Sequence, residues 1–320
     1  MPPFPKPKFD YSYKLTDELA ALRAYERTKP GRDIPDKAAD RLLLGTWNVA
    51  NLGVQQRRAD DYRLLAEIVS WFDIVAVQEV NDNLSGLYAI RDQLPRSYRL
   101  LFSDAAGNNE RLAFIYDARK AALQEKVGEI AIPPSDLADI RLPGINQQFG
   151  GFDRNPYLAS FKAGAFSFML VNVHLYFGSE SERTSINRRC LETFAVARWA
   201  YQRKRSKNAY ARDIIALGDF NLPKKDETDP VYKALTRRGL KLPKHSTEVG
   251  SNLRSDKHYD QIAFFPGETG EFTGRAGVFD FDGALFAKLY QTRGKDDFMA
   301  YMRYYISDHR VMWGEFRIAP

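Results

Sequence analysis

The sequence predicts an α/β protein, a sandwich of mixed β-sheets with helices on its outer faces. Runs such as "DIVAVQEV" and "FSFMLVNVHL" are continuous in Val, Ile, Leu and Phe, so these strands are covered on both faces instead of alternating between core and solvent. The break between two runs at Ala163-Gly164 leaves room only for an antiparallel hairpin. Amphipathic stretches between the early runs supply the longer crossovers that parallel neighbours need. Mixed sheets flanked by helices meet all three demands.

Taken in order, residues 1–40 are polar and proline-marked, with one amphipathic helix over Leu15 to Thr28. They read as an N-terminal arm packed on the domain formed by residues 41–320. Strands are expected at Leu42 to Asn48, Ile74 to Val80, Tyr98 to Ser103, Leu112 to Tyr116, Tyr157 to Phe161 and Phe166 to His174. Three more are expected at Asp213 to Asp219, Tyr259 to Phe265 and Val311 to Ile318. Helices are expected at Ala59 to Trp71, Leu84 to Leu94, Glu182 to Arg205 and Pro230 to Arg238. The stretch from about 267 to 305, glycine-rich and then aromatic, reads as a long insertion between two late strands. No repeat or linker divides 41–320.

With 320 residues, 44% of them hydrophobic, the chain can bury a large core. The single cysteine, Cys190, excludes an internal disulfide framework and is expected to be an inert packed thiol. The N-terminus lacks a continuous apolar segment and no later stretch reaches the length of a membrane span, so a cytoplasmic protein without a membrane partner is expected. A net charge of +6 suits a polyanionic partner but is mild for this length.

The polar residues carry the chemistry. "LLLGTWNVANL" ends an apolar run at Asn48, "IVAVQEV" at Glu79, "FMLVNVHL" at His174 and "IIALGDFN" at Asp219 and Asn221. "HYDQIAF" begins a run with Asp260, and "ISDHRVMWGEF" sets Asp308 and His309 just before the last strand. Any one of these is ordinarily a turn former or a helix cap. Together, at one end of so many strands, they can converge on one cleft.

The set "TWNVANL", "QEV", "RNPYLASF", "VNVHL", "GDFN", "YDQIAF" and "SDHRVMWGEF", in this order over about residues 41–318, resembles the endonuclease/exonuclease/phosphatase superfamily. It is closer to the deoxyribonuclease I side than to exonuclease III. The resemblance implies a four-layered α/β sandwich and metal-dependent hydrolysis of phosphoesters. It makes Glu79 the principal metal ligand, with Asn48 beside it and Asp308 contributing. These hard oxygens leave a Mg²⁺ ion open to substrate phosphate, and Mn²⁺ would substitute. Asp219 is implied to orient or deprotonate the attacking water, and Asn221 to donate to a phosphoryl oxygen. Residues i and i+2 of an extended chain point to one side, which gives that spacing a reason. Asp260 and His309 form a carboxylate–imidazole pair. His174 is implied as the leaving-group acid, and Arg154 as a phosphate contact. His245 and His258 fall outside these roles and read as structural or solvated.

Substrate is less legible, because this superfamily applies one metal site to many phosphoesters. Nucleic acid, DNA in particular, is the expected partner, and the expected activity is a Mg²⁺-dependent endonuclease. The basic segment with Arg188, Arg189, Arg198, Arg203, Lys204, Arg205, Lys207 and Arg212 either tracks a phosphate backbone or is a solvated helix face. Tyr301, Tyr304 and Tyr305 either stack on bases or pack the insertion onto the core. A phosphatase or phosphodiesterase acting on inositol phosphates or phospholipid head groups is the alternative. A degenerate binding module fits less well, since every catalytic block is present.

Overall fold

The computed structural model describes residues 3–28, 32–245, 247 and 249–319; residues 1, 2 and 29–31 of the expected arm lie outside them. Two sheets face each other. Strands β1 (Arg41–Leu52), β2 (Ile74–Asn81), β3 (Tyr98–Phe102), β4 (Glu110–Asp117), β10 (Phe272–Phe279) and β11 (Val311–Arg317) form one, in the order β10-β11-β1-β2-β4-β3. The other runs β5 (Ala122–Glu129), β6 (Tyr157–Ala163), β7 (Phe166–His174), β8 (Asp213–Asp219) and β9 (Asp260–Phe264). Each sheet is mixed: β1–β2 and β7–β8 are parallel, and the remaining named pairs are antiparallel.

Three apolar layers hold the sandwich together. Between the sheets lie Leu42, Phe114, Phe161, Phe168, Leu217 and Phe316 among others, which explains the unbroken apolar runs. The outer face of the six-stranded sheet is covered by α1 (Leu15–Tyr25), α2 (Ala59–Ser70), α3 (Ser85–Arg91) and α7 (Ala287–Tyr305). The outer face of the five-stranded sheet is covered by the short α4 (Pro134–Leu137), α5 (Arg183–Arg205) and α6 (Pro230–Thr236). Helix, sheet, sheet and helix are the four expected layers.

Local chemistry sets the helix starts. Asp229 caps α6 by accepting from Val231 N and Tyr232 N at 2.8 and 3.0 Å, with Pro230 as the first helical residue. At α2, Asp61 reaches back to Arg58 N at 2.7 Å.

The arm packs on the helical layer of the six-stranded sheet, through Phe4, Phe9, Tyr11, Tyr13, Leu15 and Leu19. Tyr13 donates its hydroxyl to Asp61 at 2.8 Å, and Glu18 accepts from Phe286 N at 2.8 Å. The stretch expected as an insertion supplies β10, which pairs with β11, and α7, whose helix is interrupted at Gly294. Tyr301, Tyr304 and Tyr305 of α7 are buried in the core and wrapped by the arm, so packing, not base stacking, is their role.

The register already delivers most of the site. His174 pairs with Asp219, and Asp219 with Asp260, so three polar residues stand abreast on β7, β8 and β9. The close approach of β7 and β8 here depends on Gly218. It lies within β8 at φ 137°, opposite Val173, and a Cβ on it would fall 2.1 Å from the Val173 carbonyl oxygen. Gly218→Ala is expected to lower stability by at least about 2 kcal/mol, because both the backbone angle and the space exclude a side chain. A urea titration with a reduced midpoint checks this; an unchanged midpoint shows that the strands separate freely.

Candidate active site

The two sheets meet at their rims through one amide. Asn48 on β1 donates both protons of its side-chain nitrogen, to Glu79 Oε1 at 2.9 Å and to Asp219 Oδ2 at 3.0 Å. Because carboxylates only accept, the amide nitrogen must face them, which fixes the position of the oxygen. That oxygen, Asn48 Oδ1, is buried and has no hydrogen-bond partner.

Glu79 reaches its position through an irregularity. It has φ 57° at a register shift in the β2–β4 pairing, where a bulge turns a side chain out of the regular alternation. Its second oxygen accepts from Asn51 N at 2.9 Å, and Asn51 also has a positive φ, 48°. Ser307 ties this segment to the His309 loop: its hydroxyl donates to Asn48 O at 2.6 Å and accepts from Ala50 N and His309 N.

Asp219 has partners on several sides. Besides Asn48, it accepts from Asn221 N at 2.8 Å, and its Oδ2 lies 3.7 Å from His174 Nε2 and 3.8 Å from His309 Nδ1. Burial is the largest influence and opposes its charge, but His309, His174 and the hydrogen bonds outweigh it, so the carboxyl is held below its ordinary range. Asp219 is therefore a carboxylate at neutral pH. Asn221 does not continue the extended chain. It turns to φ 52°, and its side-chain nitrogen donates to Leu175 O at 2.7 Å. The two-residue spacing thus reflects a turn closed by Asp219 itself, not the same-side geometry of a strand. Phe220 between them is fully buried.

His309 Nδ1 lies 2.8 Å from Asp260 Oδ2. Burial pushes Asp260 up to about 6 while His309 pulls it the other way. On the imidazole, burial disfavours the charge, yet Asp260, Asp308 and Asp219 together raise it well above its usual range. With three acids around one ring, the pair is a carboxylate–imidazolium. Asp219, Asp260 and His309 place ligand-type atoms within 4.8 Å of one another, and the Asp260–His309 hydrogen bond is part of that cluster. Asp308 is pushed up by burial, with Glu79 adding to the effect.

On the other flank, His174 Nδ1 lies 3.1 Å from Glu110 Oε2, and burial is outweighed by His174 and Arg154 in holding Glu110 below its usual range. Arg154 is buried; its Nε donates to His174 O at 3.0 Å, and its Nη1, without a hydrogen bond, lies 3.4 Å from Glu110 Oε2 and 3.2 Å from Asp153 Oδ2. A cleft of about 260 Å³ is lined by Glu79, Arg154, His174, Asp219 and Asn221, together with Tyr176 and Phe177. Tyr176 and Phe177 carry no polar strand-end signal and were not legible as site residues.

Other expected groups lie elsewhere or are already engaged. Lys225 Nζ lies 2.7 Å from His245 Nε2, and burial foremost lowers His245 and His258 to about 4, as for structural histidines. Burial pushes Cys190 up to about 12, an inert thiol. Part of the basic segment is already engaged: Arg188 bonds to Asp153 and Glu192, Arg189 is buried, Arg198 bonds to Asp139 and Lys204 to Glu268, while Arg203, Arg205 and Lys207 are exposed.

No family model matches the sequence. A deoxyribonuclease from Thioalkalivibrio sp. (strain K90mix) is 32% identical over 199 residues, covering 59% of this chain and 49% of that protein. The chain thus matches about half the length of this relative. Among solved structures, an endonuclease/exonuclease/phosphatase family protein from Bacteroides thetaiotaomicron is similar with a TM-score of 0.57 and 19% identity, over 87% of this chain and 95% of that one. D. rerio TDP2 complexed with a single-strand DNA product is similar with a TM-score of 0.55 and 15% identity, over 86% and 98%. The fold and the strand-end polar set define a DNase I-like α/β sandwich. In fold the chain is similar to solved proteins of the endonuclease/exonuclease/phosphatase family.

Asp260→Asn is expected to lower the titration midpoint of the His309 imidazole by about one pH unit or more, read by NMR in EDTA. A raised folded-state midpoint adds stability that is complete below the ordinary histidine value of about 6.5 and fades as pH rises through the folded midpoint. The stability advantage of wild type over Asp260→Asn should therefore shrink across that window. A midpoint that does not move would show that Asp260 does not hold the charge.

Proposed function

We propose that this chain is a Mg²⁺-dependent nuclease, an endonuclease on DNA, hydrolysing phosphodiester bonds by direct attack of water. The observation that carries the reading is Asp219, an ionised carboxylate between two histidines and joined to Glu79 through one amide. The deoxyribonuclease relative and the DNA-product complex of a structural neighbour support DNA as the substrate. A cytoplasmic location is part of this reading.

The donor set fits a hard divalent cation. Asn48 Oδ1 is an orphaned buried carbonyl oxygen, and Glu79 beside it keeps acceptor capacity on both oxygens. Glu79 and Asn48 would hold the ion, with Asp308 contributing, and Mn²⁺ would substitute for Mg²⁺. Such an ion supplies positive charge against the phosphoryl and leaving oxygens.

The chain's own residues do the remainder. Asp219 accepts a proton from the water whose oxygen bonds to phosphorus. The bond from phosphorus to the leaving oxygen breaks, and His174 gives that oxygen a proton. The His309 imidazolium, fixed by Asp260, faces the charge that develops on the phosphoryl group. Asn221 uses one amide proton on Leu175 O and has a second for a phosphoryl oxygen. Arg154, whose Nη1 makes no hydrogen bond of its own and lies against the carboxylates of Glu110 and Asp153, presents its guanidinium to a phosphate oxygen in the same way.

Plasmid DNA, RNA, an abasic-site duplex and inositol phosphates, each with Mg²⁺ and with EDTA, provide the test. Plasmid cleavage should require the metal and fall by about 10²-fold or more in Asp219→Ala. Turnover of inositol phosphates alone would instead establish the phosphatase alternative. The metal assignment is checked separately: Glu79→Gln should weaken Mn²⁺ binding, followed by electron paramagnetic resonance, by about tenfold or more. Undiminished binding would move the ion away from Glu79.

A further inference from the structure

On the His174 side the cleft wall is aromatic. Tyr176 and Phe177 line it, and each ring is backed by an arginine of α5. The Arg188 guanidinium carbon stands 4.0 Å from the centre of the Tyr176 ring, and that of Arg189 stands 5.0 Å from Phe177. Both arginines are fixed. Arg188 donates to Glu192 and to Asp153, each at 3.1 Å, while buried Arg189 donates to the carbonyls of Phe177 and Ser179. The Tyr176 backbone is fixed too, its N–H donating to the fully buried Glu192 at 3.0 Å.

Nothing in the hydrolysis reaction calls for an aromatic group here. A rigid ring two residues beyond the leaving-group acid offers a planar surface at small conformational cost. Every nucleobase presents a π-face to such a surface, whereas a sugar or inositol ring does not. The cation behind the ring keeps its orientation independent of the ligand.

Resting on the nuclease reading, we propose that Tyr176 is a stacking platform for the base next to the scissile phosphate on the His174 side, which makes a nucleic-acid strand the substrate class of this site.

The test uses two oligodeoxynucleotides of one sequence, the second carrying a single baseless tetrahydrofuran residue, with cleavage mapped linkage by linkage. Tyr176→Ala should lower kcat/KM at the natural linkage by about tenfold, mainly through KM. Its loss at the linkage beside the baseless residue should be smaller by about fivefold. Tyr176→Phe, which keeps the ring, should restore the natural-linkage rate. Equal losses at the two linkages, no loss at either, or a Tyr176→Phe protein as impaired as Tyr176→Ala would each overturn the platform. A wild-type protein that cleaves neither oligonucleotide would instead remove the nuclease reading itself.

Discussion

Everything at the rim depends on the Asn48 amide. Glu79 belongs to one sheet and Asp219 to the other, and two buried carboxylates repel unless something positive stands between them. The two amide protons of Asn48 fill that place without adding a charge. One layer deeper, Gln78 of β2 donates to Asn172 of β7 at 2.6 Å, and Asn172 donates in turn to the carbonyls of Val77 and Ala113. The layer between the sheets is mainly apolar, so these polar contacts fix how the two sheets stand relative to each other at this rim.

The rim segments are irregular, and irregular backbone leaves carbonyls without ladder partners. Four buried arginines meet that need. Arg57 donates to Ala50 O, Tyr305 O and Ile306 O, which joins the segment after Asn48 to the end of α7. Arg154 holds His174 O, Arg189 holds Phe177 O, and Arg310 holds Gly250 O while pairing with Asp282. A guanidinium suits this work because it presents five donors in a fixed plane. Burial lowers Arg57 to about 10, which still leaves it charged at neutral pH. Asn51, Glu79 and Asn221 all hold left-handed backbone angles, at about 1 kcal/mol or more each. Such angles persist only where the surroundings over-determine them, and the arginine-held carbonyls provide that constraint.

What the sequence showed follows from where burial is complete. β7 and β8 begin and end at the residues their apolar runs marked, because both faces are covered. β5 escaped notice because "ALQEKVGE" is a half-exposed edge strand whose charges break the pattern. β10 is diluted by Gly274 and Gly277, and α7 by Gly294, so the stretch read as an insertion between sheet strands. The polar strand-end residues were legible because each interrupts an apolar run. Tyr176, Phe177 and the clamping arginines interrupt nothing, since aromatic residues and arginines serve equally in packing, on surfaces and in loops. The basic residues of α5 show the limit of reading charge along a chain: Arg188, Arg198 and Lys204 pair with Asp153, Asp139 and Glu268, all far away in sequence.

Unmet polar capacity is what distinguishes this rim from a mere junction between sheets. Proteins satisfy nearly all their buried polar atoms, so the exceptions need a reason. Here Asn48 Oδ1 and Asp260 Oδ1 are buried without a hydrogen-bond partner, and Arg154 Nη1 makes none either although it lies against Glu110 and Asp153, among residues that the Asn48 amide, the Asp219 carboxylate and the His309 pair draw together. An orphaned carbonyl oxygen suits a cation, and a guanidinium suits an anion. A metal ion held against a substrate phosphate brings both charges into one place, so a single bound pair would satisfy what the fold leaves open. The folded chain alone carries that cost, which is the form expected of a site organised in advance for its ligand.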